Sequence, residues 1–211
     1  MDKKLDSFSV PLGLLDYVNP ILYTVTVVTV IRNTYAAMGT PYNVIMLIGA
    51  AISVFFGLII PTGKVLVGLG IIDFVMPVSL VFSVNAGILA FGLTLLRYVM
   101  GLSDLVWLIL LAVIVAMLAA LYQKTKKLNT IAVLTGAAGY LLTYISLIAL
   151  SVRSGVVLPI ILYAMAIALF VFLCGVGIKA DLYNPKVHWV IEISNVVCQL
   201  LVAVATVVLF A

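Results

Sequence analysis

Apolar segments long enough to cross a lipid bilayer recur along the whole 211-residue chain. A membrane-spanning helix needs about 20 apolar residues, so with short loops the chain has room for about seven or eight spans. Hydrophobic residues make up 66% of the sequence and charged residues 9%, and the mean hydropathy is +1.38. These values exclude a water-soluble domain and a disordered chain. The sequence therefore predicts an all-α, polytopic integral membrane protein with one transmembrane domain over residues 1–211.

Seven spans are predicted. The third is longer than one perpendicular span requires, so it is either one tilted helix bent at Pro77 or two short helices. The segment before it, Pro61 to Lys64, is predicted to be a tight turn. The seven segments are Leu12–Arg32, Tyr42–Ile60, Val67–Leu96, Ser103–Tyr122, Asn129–Ser151, Val156–Ile178 and His188–Phe210.

The basic residues distinguish between seven and eight spans. With seven, the lysines and arginines divide 8 against 3 between the two sides of the membrane, whereas with eight they divide 5 against 6. Cytoplasmic loops normally carry the excess of lysine and arginine, so seven spans are favoured. The N-terminus is then cytoplasmic and the C-terminus external. The richer side holds Lys3, Lys4, Lys64, Lys124, Lys126, Lys127, Lys179 and Lys186, and the other holds Arg32, Arg97 and Arg153.

Spans three and seven each carry an acid followed by an asparagine: Asp73 with Asn85, and Glu192 with Asn195. Seven spans that start in the cytoplasm divide as three, one and three, so that the two triplets form a parallel repeat. A chance coincidence of polar residues in two helices is the alternative. This layout resembles that of the SWEET and PQ-loop transporters, in arrangement only, because the chain contains no proline–glutamine pair. The resemblance implies a transport pathway between the two triplets and assigns no family.

Span seven carries the most specific pattern in the chain. His188, Glu192, Asn195 and Gln199 follow steps of four, three and four, so they share one helical face. An ionisable residue in the bilayer is costly, and this face should therefore point into the bundle. It predicts a substrate or proton pathway, or alternatively a hydrogen-bond cluster that fixes helix packing. His188 is a candidate pH-sensing residue, although a solvated histidine at the membrane interface is the more common arrangement.

Two other spans supply further candidates for the same pathway. In span one, Asn19 and Tyr23 lie beside Pro20, and Asp16 lies near the membrane boundary, where solvent can reach it. In span three, Asp73 and Asn85 lie twelve residues apart and do not share one continuous face of an ideal helix. The predicted pathway residues are Asp73, Asn85, Glu192, Asn195, Gln199, Asn19 and Tyr23.

Small residues mark the expected helix contacts. Gly49, Ser53 and Gly57 recur every four residues in span two, and this face predicts close packing either within the chain or in a homo-oligomer. Cys174 and Cys198 lie inside apolar segments, where cysteine usually packs as a small apolar group. With one histidine and no CxxC spacing, neither a metal site nor another cofactor is expected. The basic residues lie at span ends, so we expect the lipid bilayer as partner and no nucleic acid.

Three functions remain open from the sequence. The first is a small-molecule transporter or permease with a polar seam formed by spans one, three and seven. The second is an intramembrane lipid-modifying enzyme that uses Asp73 or Glu192 as general base, although no known catalytic motif is present. The third is a non-catalytic subunit of a membrane complex. Transport is favoured, and a prokaryotic plasma membrane is expected from the compact chain and from the lack of an evident signal peptide.

Overall fold

The chain folds into a bundle of α-helices. The computed structural model describes the backbone of residues 9–72, 77–179 and 185–211, and the side chains of these residues except 176–179 and 185. In the described residues the helices are α1 Val10–Asp16, α2 Val18–Met38, α3 Tyr42–Gly68, α4 Val78–Met100, α5 Asp104–Thr125, α6 Leu128–Ser154, α7 Val157–Lys179 and α8 Pro185–Phe210.

Seven helices of the described part are long and apolar enough to cross a membrane, when α1 and α2 are taken together as Val10–Met38. The break between α1 and α2 falls at Tyr17. It has a simple cause: Pro20 has no N–H to donate to the carbonyl of Asp16, and its ring crowds that carbonyl. The prediction of an all-α membrane protein with seven spans is thereby confirmed.

Short connections with glycine turns join the helices at one end of the bundle. Gly101 and Gly155 end α4 and α6 in the left-handed conformation, with φ of 64° and 70°. In both turns the second residue beyond the helix donates to a carbonyl of the last turn, Leu102 N to Arg97 O and Val156 N to Ser151 O. This pattern satisfies carbonyls that the helix end leaves free. Gly39 follows α2 at the same end, with φ of 70°. We call this the turn end of the bundle.

Six spans form a closed ring, and the seventh lies outside it. Around the ring α2 packs on α3, α3 on α4, α4 on α6, α6 on α7, α7 on α8, and α8 returns to α2. Helix α5 contacts α6 and α4 from outside, and Trp107 is its buried residue. The remaining side chains of α5 suit a lipid environment, because its 18-residue window has a hydropathy of 2.8.

The helices around Pro61 differ from the sequence prediction. The predicted turn is wrong, because α3 runs through Pro61 and ends at Gly68. A proline inside a helix removes one hydrogen bond, here to the carbonyl of Gly57, and packing against neighbouring helices tolerates that loss. The single span Val67–Leu96 is wrong as well, since α4 begins at Val78 and Pro77 precedes it as the N-cap. Span one runs to Met38, beyond the predicted end at Arg32, and span two runs to Gly68, beyond the predicted end at Ile60. The remaining four predicted spans agree with the helices to within a few residues at each end.

Lys64 is not the loop lysine that the charge count assumes, because it lies in α3 and is 6% exposed. Without it the lysine and arginine count is 7 against 3 in favour of the same side. The excess of basic residues on one side therefore still predicts a cytoplasmic N-terminus.

Gly49 and Ser53 pack inside the chain. A Cβ added to Gly49 would lie 2.8 Å from the Gly87 carbonyl oxygen of α4, and one added to Gly87 would lie 2.5 Å from the Gly49 oxygen. Ser53 is 2% exposed, and Gly57 lines the cavity described below. At Gly49 and Ser53 this face therefore packs within the chain, against α4. Small residues on both helices permit this approach.

Candidate functional site

Four ionisable side chains meet inside the bundle. The Lys64 ammonium lies 2.7 Å from a carboxylate oxygen of Asp16 and 2.7 Å from one of Glu192. His188 Nε2 lies 3.3 Å from the same Glu192 oxygen, one helical turn away along α8. Asp16, Lys64, His188 and Glu192 are 8%, 6%, 7% and 5% exposed. We call these four residues the ion cluster. Burying charge is costly unless each charge is paired, and here Lys64 is shared by two carboxylates.

The close approach of α1 and α3 brings Asp16 to Lys64. A Cβ added to Gly13 would lie 2.7 Å from Val65 Cγ2 and 3.0 Å from Val65 N. A Cβ added to Gly68 would lie 2.8 Å from Val10 N. Both glycines therefore serve the crossing, because any side chain there would push the two helices apart. The α1–α2 break leaves Asp16 as the last residue of α1.

Asn19 connects the ion cluster to an internal cavity. Its Nδ2 group donates to Asp16 Oδ1 at 3.2 Å and to Glu192 Oε2 at 3.3 Å. Ionised carboxylates only accept hydrogen bonds, so with both acids ionised these two contacts fix which way the amide is turned. The Asn19 Oδ1 atom consequently points elsewhere, and it is buried without a hydrogen-bond partner.

The cavity has a volume of about 340 Å³ and is lined by all six helices of the ring together with Asp16 of α1. Asp16 and Asn19 belong to its wall, whereas Lys64, His188 and Glu192 do not. The ion cluster thus borders the cavity through one carboxylate and one amide. The polar residues of the wall are Asp16, Asn19, Tyr23, Ser53, Asn85, Tyr140, Asn195 and Gln199.

Aromatic rings close the inner part of the cavity. Tyr140 packs edge-on against Tyr23, with ring centroids 6.0 Å apart, and lies 5.5 Å from Phe170. The Tyr23 hydroxyl accepts a hydrogen bond from Ser53 Oγ at 3.4 Å. Behind Tyr140, the Tyr144 hydroxyl lies 3.9 Å from Cys198 Sγ. A site with an aromatic floor and several amides in its wall is typical of binding sites for small polar molecules.

The cavity occupies one layer of the bundle, and the rest is packed. Its wall comes from residues 16–23, 53–60, 84–88, 133–140, 170–174 and 195–199, which lie away from the turn end. We call this the cavity layer. Toward the turn end the same helices contribute fully buried apolar side chains, and we call that region the packed layer. It includes Val30, Met46, Leu95, Leu147, Ala166, Val202 and Ala205.

The structure brings most of the predicted pathway residues together. Asn19, Tyr23, Asn85, Asn195 and Gln199 all line the cavity. Glu192 lies in the adjoining ion cluster. Asp73 lies outside the described residues. The polar face of span seven therefore points into the bundle, and Tyr23 and Asn19 extend it onto span one.

Two expectations about solvation are wrong. The sequence predicts a solvated His188 at the interface and an Asp16 that is open to solvent near the membrane boundary. Both are buried, because the α1–α3 crossing and the start of α8 enclose them around Lys64.

Sequence reasoning missed Lys64. A signal was present: when the span-two face is continued past Pro61, the positions Gly49, Ser53, Gly57, Lys64 and Gly68 share one side of the helix. A lysine on that side, between apolar segments, was available to pair with the acids of neighbouring spans.

Fold and site together define an integral membrane protein with an internal polar cavity beside a buried ion cluster. Comparisons with family models, with curated proteins and with solved structures find no match to this chain.

Proposed function

We propose that the protein is a small-molecule transporter or permease whose solute occupies the internal cavity. One observation carries the proposal: a polar cavity of about 340 Å³, ringed by six membrane-spanning helices, adjoins a buried ion cluster. Intramembrane ionisable residues are expensive, and they mark solute and proton pathways in many membrane proteins. The seam proposed from spans one, three and seven is widened by spans two, five and six.

The packing order of the helices supports a three-plus-one-plus-three arrangement. In the first triplet α3 packs on α2 and on α4, and in the second α7 packs on α6 and on α8. The contact of α4 with α6 corresponds to the contact of α8 with α2, and α5 lies outside. We propose that the two triplets are a parallel repeat. Transporters built from repeats bind their solute at the repeat interface and move one repeat against the other.

We propose that the ion cluster couples a proton to solute movement. Two carboxylates share one ammonium, so with a neutral His188 the four residues carry one excess negative charge. A buried cluster is neutral only when it takes up one proton or another cation. The groups that face one another are Asp16 of α1, Lys64 of α3, and His188 and Glu192 of α8. Asn19, which touches both carboxylates and the cavity, transmits the change.

Uptake by purified protein in proteoliposomes tests the proposal. The vesicles receive a defined mixture of small amines, polyols, amides and carboxylic acids under an inward proton gradient, and mass spectrometry reads the vesicle contents. We expect at least one solute to accumulate above protein-free liposomes, and Glu192→Gln to abolish the part that depends on the gradient. Leu200→Met, on the lipid-facing side of α8, is the matched control. No accumulation of any solute contradicts transport.

The same experiment separates the two other functions. A lipid-modifying enzyme would convert a bilayer lipid to a product, which the mass spectra of the vesicle lipids report. The geometry favours transport over this reaction, because Glu192 and His188 do not line the cavity. A non-catalytic subunit would purify with another chain and would be indifferent to Glu192→Gln. We propose the prokaryotic plasma membrane as location, on the compactness of the bundle and its short turns.

A further inference from the structure

We infer that the solute of the cavity is a small amine in its protonated, cationic form. The inference rests on the proposed function and gives the chemical class of the molecule that the site takes. Three independent features of the wall carry it: acceptor atoms without donors, an excess of negative charge, and aromatic rings at the inner end.

Unpaired acceptors come first. Gln199 is 8% exposed, lines the cavity, and its Oε1 atom has no hydrogen-bond partner. Asn19 Oδ1 is also buried without a hydrogen-bond partner. The orientation of the Asn19 amide is set by its contacts with the two carboxylates. Leaving a buried acceptor without a donor costs about 1–3 kcal/mol in a folded protein. A ligand that brings several N–H groups removes that cost.

Two prolines, each four residues after a residue of the wall, leave further backbone acceptors without their helical donor. Pro20 follows Asp16 by four residues, and Pro61 follows Gly57 by four. A proline has no N–H, so the carbonyls of Asp16 and Gly57 lose their regular helical donor. Both residues line the cavity. In a membrane protein such carbonyls are tolerated where another group supplies the missing donor.

The charge of the wall excludes an anion. Among the described lining residues Asp16 is acidic, and no lysine, arginine or histidine is present. Behind the wall, Lys64 is already shared by Asp16 and Glu192. With a neutral His188, a carboxylate or phosphate in the cavity would meet an uncompensated negative charge at low dielectric, whereas an ammonium would neutralise it.

The aromatic residues at the inner end of the cavity suit both the ammonium group and the alkyl part of an amine. Tyr23, Tyr140 and Phe170 line the cavity, and their rings are tilted or perpendicular to one another, with interplanar angles of 79° and 57°. Rings in this arrangement present both edges and faces to the enclosed space. An ammonium is attracted to a ring face, and an alkyl chain packs against the ring as well.

The two native cysteines offer a test that does not depend on transport. Cys174 and Cys198 both line the cavity, and they are the two cysteines of the 211-residue chain. Purified protein in nanodiscs is treated with a cationic reagent, trimethylammonium-ethyl methanethiosulfonate, or an anionic one, sulfonatoethyl methanethiosulfonate. Each rate is divided by that of the same reagent with a free thiol. Single Cys174→Ala and Cys198→Ala variants assign the modified position.

We expect the cationic reagent to react faster than the anionic one by about tenfold or more. Asp16→Asn should bring the two rates together, because it leaves one carboxylate for one ammonium. Equal corrected rates in the natural chain, or a faster anionic reagent, would overturn the inference.

Protection by solutes of matched size identifies the recognised group. Propylammonium, propanol and propionate are compared for their ability to slow labelling by the neutral reagent N-ethylmaleimide. Propylammonium should protect and the other two should not. Gln199→Met should fold at least as well as the natural chain, since it removes an unpaired acceptor, and should weaken protection by about threefold or more. Leu200→Met should leave protection unchanged.

Equal protection by propanol would contradict the amine, even when transport is present. Uptake of polyols or acids in proteoliposomes, together with a charge-indifferent cavity, would leave the proposed transport function standing and remove this inference. If no solute is taken up, but labelling is charge-selective and propylammonium protects, the amine inference stands and the proposed transport function is contradicted.

Discussion

The cavity layer and the packed layer are built from the same six helices, yet they have opposite character. Along α8, Glu192, Asn195 and Gln199 face the ion cluster and the cavity, whereas Val202 and Ala205 are 1% and 0% exposed in a packed core. Polar side chains thus lie where the helices enclose the cavity, and small and aliphatic side chains lie where the helices are in contact. One end of the bundle is therefore closely packed, and the other encloses a cavity.

The hydroxyl groups of Thr206 and Tyr163 in the packed layer are paired with each other. Thr206 is fully buried, donates to the Val202 carbonyl at 2.7 Å and lies 2.9 Å from the Tyr163 hydroxyl. In the cavity layer, Asn19 and Gln199 each retain a buried oxygen without a donor, and so does Asn43 at the turn end. Native proteins rarely leave such groups unsatisfied unless water or a ligand completes them.

Replacing the shared cation should have the largest effect. Lys64→Met leaves Asp16 and Glu192 buried without their ammonium, and loss of one partner of a buried ion pair costs about 3–5 kcal/mol. We expect a correspondingly lower free energy of unfolding in detergent, followed by circular dichroism. Lys126→Met, at an exposed position, is the matched control and should change stability by less than about 0.5 kcal/mol. Equal stability of both variants would show that the ion cluster is not a paired unit.

Truncation should be more costly in the packed layer than in the cavity wall. Leu147 is 0% exposed, and Leu147→Ala should destabilise the fold by about 2–5 kcal/mol through lost contacts and a new void. Val133 lines the cavity, so Val133→Ala should cost less than about 1 kcal/mol. The same unfolding measurement compares them. Similar costs for the two variants would mean that the layers do not differ in packing.

The α1–α3 crossing supplies a third comparison, since it is tightly packed although it borders the cavity. Gly13→Ala places a methyl group within 3.0 Å of Val65 backbone and side-chain atoms, and overpacking of this kind costs about 1–3 kcal/mol. By moving Asp16 away from Lys64 it should also abolish proton-coupled uptake. Gly175→Ala in α7 is the matched control, because nothing lies within 4 Å of an added Cβ there. If Gly13→Ala retains full proton-coupled uptake, close packing of α1 on α3 is not required for coupling.

Removing a satisfied hydrogen bond of the packed layer should have the smallest effect. Tyr163→Phe loses the 2.9 Å contact with Thr206, and interhelical hydrogen bonds in membranes contribute about 0.6 kcal/mol on average. Thr206 keeps its bond to the Val202 carbonyl. Thermal unfolding should therefore shift only slightly, and thiol labelling of the cavity should not change. A large loss of stability would indicate that this pair holds the packed layer together.

Most of the fold can be predicted from the sequence, because few backbone structures are stable inside a lipid bilayer. Every span must satisfy its own backbone, so hydropathy and length identify the helices. The errors fall around Pro61 and Pro77, where a local rule about proline competes with packing. In α3 the contacts of Gly68 and Lys64 with α1 outweigh one lost hydrogen bond. At Pro77 the proline begins the helix and does not bend it.

The candidate site is readable in part. The spacing on span seven places Glu192 and Gln199 on an inward face, because that spacing follows the helical period. Lys64 was not found, since its role depends on which helices become neighbours. The pairing with Asp16 needs the α1–α3 crossing, and that with Glu192 joins residues 128 positions apart. The helical spacing indicates which side of α3 carries Lys64, but contacts between distant segments leave no local pattern that identifies its partners.

Reactivity along α8 tests the central claim most directly. In a Cys174→Ala, Cys198→Ala background, Asn195→Cys and Thr206→Cys place one thiol in each layer, about 16 Å apart along the helix. Both are treated in membrane vesicles with trimethylammonium-ethyl methanethiosulfonate, and the modified fraction is followed by mass spectrometry. We predict rapid modification at position 195 and none at position 206 in the resting protein. An unreactive position 195, or equal rates at the two positions, would contradict an accessible cavity closed at one end by a packed core.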